Sequence, residues 1–347
     1  MTRRDVMLVA STLALGMAAF ASVSPVRADV RTFGNWIVGC DNKAECTAVG
    51  THDVPPDPDK PTVVLRIGVD RRSLSGFDMA IIPIPRGNSA VGTITVVCPE
   101  CARDAAGSGE ADTVQLRGQR IAIAGMRGAH WLDALGKGRP FVVAWPGSAH
   151  SASVDASSFL EAWTYLAQTR GDLMRQASFE RALPSLQAGQ PGPEASRSLP
   201  GQEVVPPNPS GIAQLRRACP SGANPVHHRQ FVLAGNSTLW SVQCHQGSAR
   251  TTHWYQAAGS GGPPAPIELP DADRGQLTVD ERGFEESVFD FDFGILRARS
   301  GPAMREDCGI RRAWGWDGRT WVLLERRDMP ACIGLSPSDW IRTYSSQ

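Results

Sequence analysis

Eight cysteines constrain this chain of 347 residues more than any other feature: Cys40, Cys46, Cys98, Cys101, Cys219, Cys244, Cys308 and Cys332. An even cysteine count in an exported chain reads as a disulfide framework, whereas a reducing cytosol keeps thiols apart. The first residues speak for export. Arg3 and Arg4 form a positive start, an apolar run extends from Val6 to Val23, and Val26-Arg27-Ala28 supplies a cleavage site, the order of a secretory signal. The run is short and rich in small residues for a membrane anchor. Residues 1–28 are therefore read as a cleaved signal peptide, and the bacterial periplasm is the expected compartment. Thr2-Arg3-Arg4-Asp5-Val6-Met7 resembles the twin-arginine export motif, and Arg27 beside the cleavage site fits that route. Disulfides, which do not form before export from a reducing cytoplasm, fit the general route. No later segment approaches the roughly 20 apolar residues of a membrane span, so none is expected after cleavage.

Eight cysteines allow 105 connectivities. Pairing of sequence neighbours is expected, because each bond then brackets one local element: Cys40–Cys46, Cys98–Cys101, Cys219–Cys244 and Cys308–Cys332. Without the signal, 32 basic residues (35 − 3) face 34 acidic ones (35 − 1). That balance offers neither the basic footprint of a nucleic-acid binder nor a polybasic membrane patch. Lysine is confined to Lys43, Lys60 and Lys137, and arginine often comes in pairs, among them Arg311-Arg312 and Arg326-Arg327. Such pairs suit bidentate capture of carboxylate or phosphate, but a compositional bias towards arginine explains them, and they are read as solvated faces.

Seven prolines between Pro184 and Pro209, mixed with glycine and without apolar periodicity, mark residues 184–210 as a linker. It separates an N-terminal module, residues 29–183, from a C-terminal one, residues 211–347. The first reads as strands Phe33–Gly39, Val63–Val69, Asp78–Ile84, Gly92–Val97, Arg120–Ala124 and Pro140–Trp145, with a short helix over His130–Lys137. A longer helix is predicted from Ser158 to Arg170. Ser158 and Glu161 form a capping box, Leu160, Trp163, Leu166 and Ala167 form an apolar stripe, and Gly171 closes the helix. The second module reads as a β-meander. In Phe284–Arg299, Phe289, Phe291 and Phe293 alternate with Asp290 and Asp292, and Asp317-Gly318 suits a two-residue hairpin that sets Trp314 opposite Trp321. The expected class is α+β, mostly antiparallel, with one helix packed on the first sheet.

Cys308-Gly309, Trp314–Gly318, Met329-Pro330-Ala331-Cys332 and Asp339-Trp340 resemble the C-terminal end of a periplasmic bacterial family catalogued as domain of unknown function 1176. Phe33-Gly34-Asn35-Trp36, with Cys40-Asp41-Asn42 and Cys46, resembles the start of that family and is similar to the invasion-associated locus B proteins. Ser158–Arg170 sits where those families place their helix. After Cys244 the chain reads His245-Gln246-Gly247-Ser248, where the resemblance would imply an Ala-Tyr-Asn-like stretch. The resemblance implies an envelope location and brings no reaction with it.

Cys98-Pro99-Glu100-Cys101 is the one chemically suggestive motif. A Cys-x-x-Cys pair exchanges disulfides when one thiol is acidified, but the glycine-rich stretch that follows forms no long helix to acidify it. A structural bond is expected, with thiol–disulfide redox work by Cys98 and Cys101 as the alternative. No second Cys/His pair stands at zinc spacing, so no metal or cofactor is expected. Asp290 and Asp292 would share a strand face as paired carboxylates, and simple alternation explains them. Trp314, Trp316 and Trp321 offer a candidate aromatic face for a glycan, against the alternative of core packing. The sequence thus reads as an exported envelope protein without a catalytic motif, which binds a protein or a glycan. Non-reducing peptide mapping of the purified protein should recover four bonds between sequence neighbours. Reduced Cys98 and Cys101 beside three intact bonds would point to redox function instead.

Overall fold

The computed structural model describes residues 29–51, 62–69, 77–84, 94–97, 112–114, 120–123, 125–144, 151–182, 198–205, 207–215, 219, 224–246, 249–258, 262–272, 275–278, 283–302 and 305–346. Residues 1–28, read above as a signal peptide, the Cys98–Cys101 motif and residues 184–197 of the predicted linker lie outside the described residues.

The chain is mostly antiparallel β with a helix packed on a sheet. The first sheet runs in the order β1 (Arg31–Phe33), β2 (Trp36–Cys40), β3 (Cys46–Thr51), β4 (Thr62–Val69), β5 (Phe77–Ile84) and β8 (Ile121–Ile123). Phe33–Gly39, read as one strand, is a hairpin: Phe33 pairs with Trp36 across Gly34-Asn35, and Gly34 takes a left-handed φ of +53°. That conformation suits glycine, which lacks the Cβ that other residues would strain. A second sheet holds β6 (Ile94–Val97), β7 (Asp112–Val114), β9 (Phe141–Ala144) and β10 (Ser151–Val154). Helices α1 (Gly125–Gly136) and α2 (Phe159–Ala182) complete the N-terminal region.

Helix α2 runs straight through Gly171, so Gly171 is not a terminus. Its buried stripe is Phe159, Ala162, Leu166, Thr169 and Leu173, a spacing of three and four residues. Leu160 is 59% exposed, so the stripe is rotated from the expected one. The anchor is Trp36, whose ring lies 4.7 Å from that of Phe159 and whose Nε1 donates to the Asp155 carbonyl at 2.7 Å.

Alternation along the first sheet gives it two buried faces. Trp36, Val38, Leu65, Ile67, Met79 and Ile81 point towards α2 and the second sheet. Ile37, Val49, Val64, Ile82 and Ile84 point the other way, into a layer completed by Met329, Ile333, Leu335, Trp340 and Ile341 from the far end of the chain. The N-terminal and C-terminal regions therefore share a core.

The C-terminal region holds a sheet of β11 (Gln202–Val204), β12 (Asn224–Leu233), β13 (Ser237–Gln246), β14 (Ala249–Ala258) and β15 (Ala265–Pro266). A small hairpin pairs β16 (Glu268–Asp271) with β17 (Gly275–Thr278). The last sheet is a meander of β18 (Glu286–Asp290), β19 (Ile295–Ser300), β20 (Gly309–Trp316), β21 (Trp321–Met329) and β22 (Ile341–Ser345). From residue 198 the predicted linker belongs to this fold. The Leu199 amide donates to the Trp316 carbonyl at 2.7 Å, β11 pairs with β12, and α3 (Pro209–Gln214) is capped by Asn208. Backbone pairing, which needs no apolar run, overrides the loop-like composition.

Phe284–Arg299 is likewise a hairpin instead of one strand: β18 and β19 are joined by a turn over 291–294, which leaves Phe293 63% exposed and takes Asp292 off the strand face of Asp290. Asp290 pairs with Arg297 at 3.1 Å. Beneath β16, Asp271 joins Arg312 (3.1 Å) and Arg326 (3.3 Å), and Arg326 also holds Asp328 at 3.0 Å. Their side chains are 1%, 9%, 10% and 11% exposed, respectively. One arginine of Arg311-Arg312 and one of Arg326-Arg327 are therefore buried, against the solvated-face reading. Removing one partner of a buried network strands the others without compensation. Asp271→Ala should cost about 3–5 kcal/mol in urea unfolding, whereas Asp290→Ala, at a half-exposed pair, should cost under about 1 kcal/mol.

Candidate functional site: a charged cleft beside the shared core

The inward face of β3, β4 and β5 that meets the C-terminal end is apolar over one half and polar over the other. Register sets Thr47 opposite Gly68, and Gly68 opposite Asp78, while Arg66 stands two residues before Gly68 on the same face. From the other side come Arg327 of β21 and Arg342 of β22, which are direct cross-strand partners. Together with Glu45, Cys46 and Val69 these residues line a cleft of about 360 Å³. The register shifts between Arg326 and Arg327, and strand alternation sends Arg326 into the buried network and Arg327 to the cleft.

Each arginine is held from behind. Arg342 Nε donates to Asp41 Oδ2 at 2.8 Å, and the Asp41 side chain is fully buried. Asp41 Oδ1 in turn accepts the amides of Lys43 at 2.9 Å and Glu45 at 3.0 Å. Burial pushes the Asp41 carboxyl above its ordinary range, and the Lys43 amide and Arg342 pull against that rise. Arg327 Nη1 donates to the Ser338 carbonyl at 2.7 Å and the Trp340 carbonyl at 3.4 Å. On their outer sides Arg342 meets Glu45 and Arg327 meets Glu325.

Arg66 is the most strained of the three electrostatically. Its Nη1 donates to Asp78 at 3.3 Å and its Nη2 to Thr47 at 3.4 Å, while its Nε is buried without a partner. Asp78 is shared with Arg120, which donates to it at 3.0 Å and reaches Asp339 at 3.2 Å. Burial lowers the Arg66 guanidinium from its ordinary value, and Arg120 and Arg327 push the same way against Asp78 and Asp339. Among the lining residues Cys46 is tied to Cys40 in a disulfide, and no histidine or free thiol stands among them. Planar guanidinium forks bind carboxylate or phosphate oxygens, so the arrangement suits capture of an anionic group.

The residues singled out in the sequence fall elsewhere. Disulfides join Cys40 to Cys46, Cys219 to Cys244 and Cys308 to Cys332. Cys98 and Cys101 lie outside the described residues. Trp314, Trp316 and Trp321 form no exposed face: they are 0%, 1% and 6% exposed, packed between the two C-terminal sheets. Their ring nitrogens donate to the carbonyls of Pro270 and Ala234 and to the Gln256 side chain. Trp321 pairs with Trp316 instead of Trp314, because Asp317 Oδ1 captures the amides of Arg319 (2.8 Å) and Thr320 (2.7 Å) and lengthens the loop. Asp307, Cys308 and Cys332 bring ligand-type atoms within 4.8 Å of one another. Their sulfurs, however, are bonded to each other, and Asp307 accepts from Arg305 and the Gly334 amide. Of the cleft residues, the sequence singled out Cys46 as a disulfide partner and Arg327 within an arginine pair, but not the cleft itself; the further available signal was Arg66 inside the apolar run Val63–Val69.

Residues 168–347 match the family described as "Protein of unknown function (DUF1176)". That match covers more than half of the chain. The chain belongs to this family. No curated protein and no solved structure matches it. In this family member the matched region contributes Arg327 and Arg342 to the cleft, while Asp41, Glu45 and Arg66 precede it. No helix among the described residues is long and apolar enough to cross a membrane.

The buried Asp41 makes the cleft pH-sensitive in a defined direction. Its folded carboxyl sits above the unfolded value, so folding penalises the ionised form above that range, and the penalty fades as pH falls through it. Arg342→Gln removes the compensating cation and should cost about 3 kcal/mol at neutral pH. The deficit should shrink as pH falls and Asp41 takes up a proton; urea unfolding of both proteins across a descending pH series checks this.

Proposed function

We propose that this protein works in the bacterial periplasm as a non-catalytic binding protein, which takes a protein or a glycan of the envelope through the cleft beside its shared core. The observation that carries the reading is the cleft itself, in which three arginines delivered by strands from opposite ends of the chain converge. Two of them, Arg342 and Arg327, are held in place by a buried carboxylate and by backbone carbonyls. Such preorganisation lowers the ordering cost of binding. The secretory pattern of residues 1–28, and the resemblance of residues 33–46 to invasion-associated locus B proteins, support the compartment, as do the disulfides among the described residues.

A photo-crosslinking residue at Asp78, whose side chain is 57% exposed at the cleft, should give a discrete adduct in envelope fractions of living cells. Changing both Arg327 and Arg342 to Gln should remove that adduct. The same adduct from a crosslinker at exposed Val288 on β18 would sink the proposal, as would recovery of the protein from the cytoplasm with residues 1–28 intact.

A further inference from the structure

We propose, resting on the cleft being a binding site, that it is a carboxylate receptor in which Glu45 occupies the ligand's place in the free protein. Arg327 and Arg342 stand directly opposite each other on neighbouring strands, a placement of like charges that weakens a sheet. A third guanidinium, Arg66, is packed nearby with an orphaned buried Nε, a shared carboxylate at Nη1 and the Thr47 hydroxyl at Nη2.

The two kinds of carboxylate around Arg342 differ in what they do. Asp41 is fully buried, bonded to two amides as well as to Arg342 Nε, and fixes the guanidinium. Glu45 meets a different nitrogen, Nη2, and its side chain is 43% exposed at the cleft. An exposed pair of this kind is worth about 0–1 kcal/mol, so a ligand carboxylate can take over the Nη2 edge while Asp41 keeps Arg342 in place. Arg327 repeats the design: carbonyls of Ser338 and Trp340 hold it from behind, and Glu325, 40% exposed, meets its Nε. A volume of about 360 Å³ admits an acidic head group with part of its carrier. No proton or electron is transferred; one carboxylate replaces another on the same guanidinium edge.

The test is a calorimetric titration of the purified protein and of Glu45→Gln with N-acetylglutamate, N-acetylmuramic acid and inorganic phosphate. The first two distinguish a peptide source of the carboxylate from a sugar source. Removing the built-in competitor should tighten binding of at least one of these acids by about fivefold, equivalent to roughly 1 kcal/mol. Adding Arg327→Gln to that variant should abolish the gain. The Glu45 change lies on an exposed side chain, so an unaltered thermal melt verifies that it folds. Equal affinity with and without the change, no binding of either acid by Glu45→Gln, or phosphate held as tightly as the acids would each overturn the inference. If acid binding fails while the Asp78 adduct persists, this inference alone falls; if both fail, the reading of the cleft as a binding site falls with it.

Discussion

The burial of the first sheet on both faces is the constraint on which the rest of the structure depends. A sheet with one wet face would leave Ile37, Val49, Val64 and Ile82 in water. Here they meet Trp340 and Ile341 from the chain's far end. Burial of large aliphatic and aromatic side chains contributes about 1.5–3 kcal/mol each. This single layer therefore ties together regions some 300 residues apart, as the bond from Arg342 to Asp41 also records. Asn42 adds to the same seam by donating to the Ser345 carbonyl and accepting the Ser345 amide.

The cleft follows from where that layer stops. On one sheet face apolar residues give way to Thr47, Arg66 and Asp78, and opposite them the β21–β22 pair presents two arginines. Close apolar contact on one side and charge on the other leaves a polar cavity at the boundary. The surrounding carboxylates pair with the guanidiniums. The pairing is uneven in depth, with Asp41 fully buried and Glu45 and Glu325 near the surface. The C-terminal sheets solve a similar problem differently: tryptophans fill the space between them, and charges that cannot reach water gather in the Asp271–Arg312–Arg326–Asp328 network.

The antiparallel β class, the strand positions and the helix near residue 160 were legible because they rest on local periodicity and composition. Local patterns also misled at particular places. Phe284–Arg299 alternates like a single strand, yet a turn over 291–294 folds it back on itself, and alternation alone does not encode a reversal. Asp317-Gly318 suggested a tight hairpin, but the carboxylate of Asp317 bonds two loop amides and shifts the register that opposes the tryptophans. The proline-rich joint hid β11, whose place depends on a partner strand in the C-terminal sheet.

What the sequence determined by itself is the set of local facts: an even cysteine framework, the pattern of a signal, the strand-rich composition and the membership motifs of the C-terminal region. What only the tertiary structure decided is which polar residues meet. Arg66 is separated from Arg327 and Arg342 by more than half of the chain, and the three share no spacing rule. Arginine pairs such as Arg326-Arg327 read alike whether solvated or buried. The difference lies in register and sheet packing: one residue of shift moves a side chain to the opposite face, and that choice is made by contacts between distant strands, which no local pattern carries.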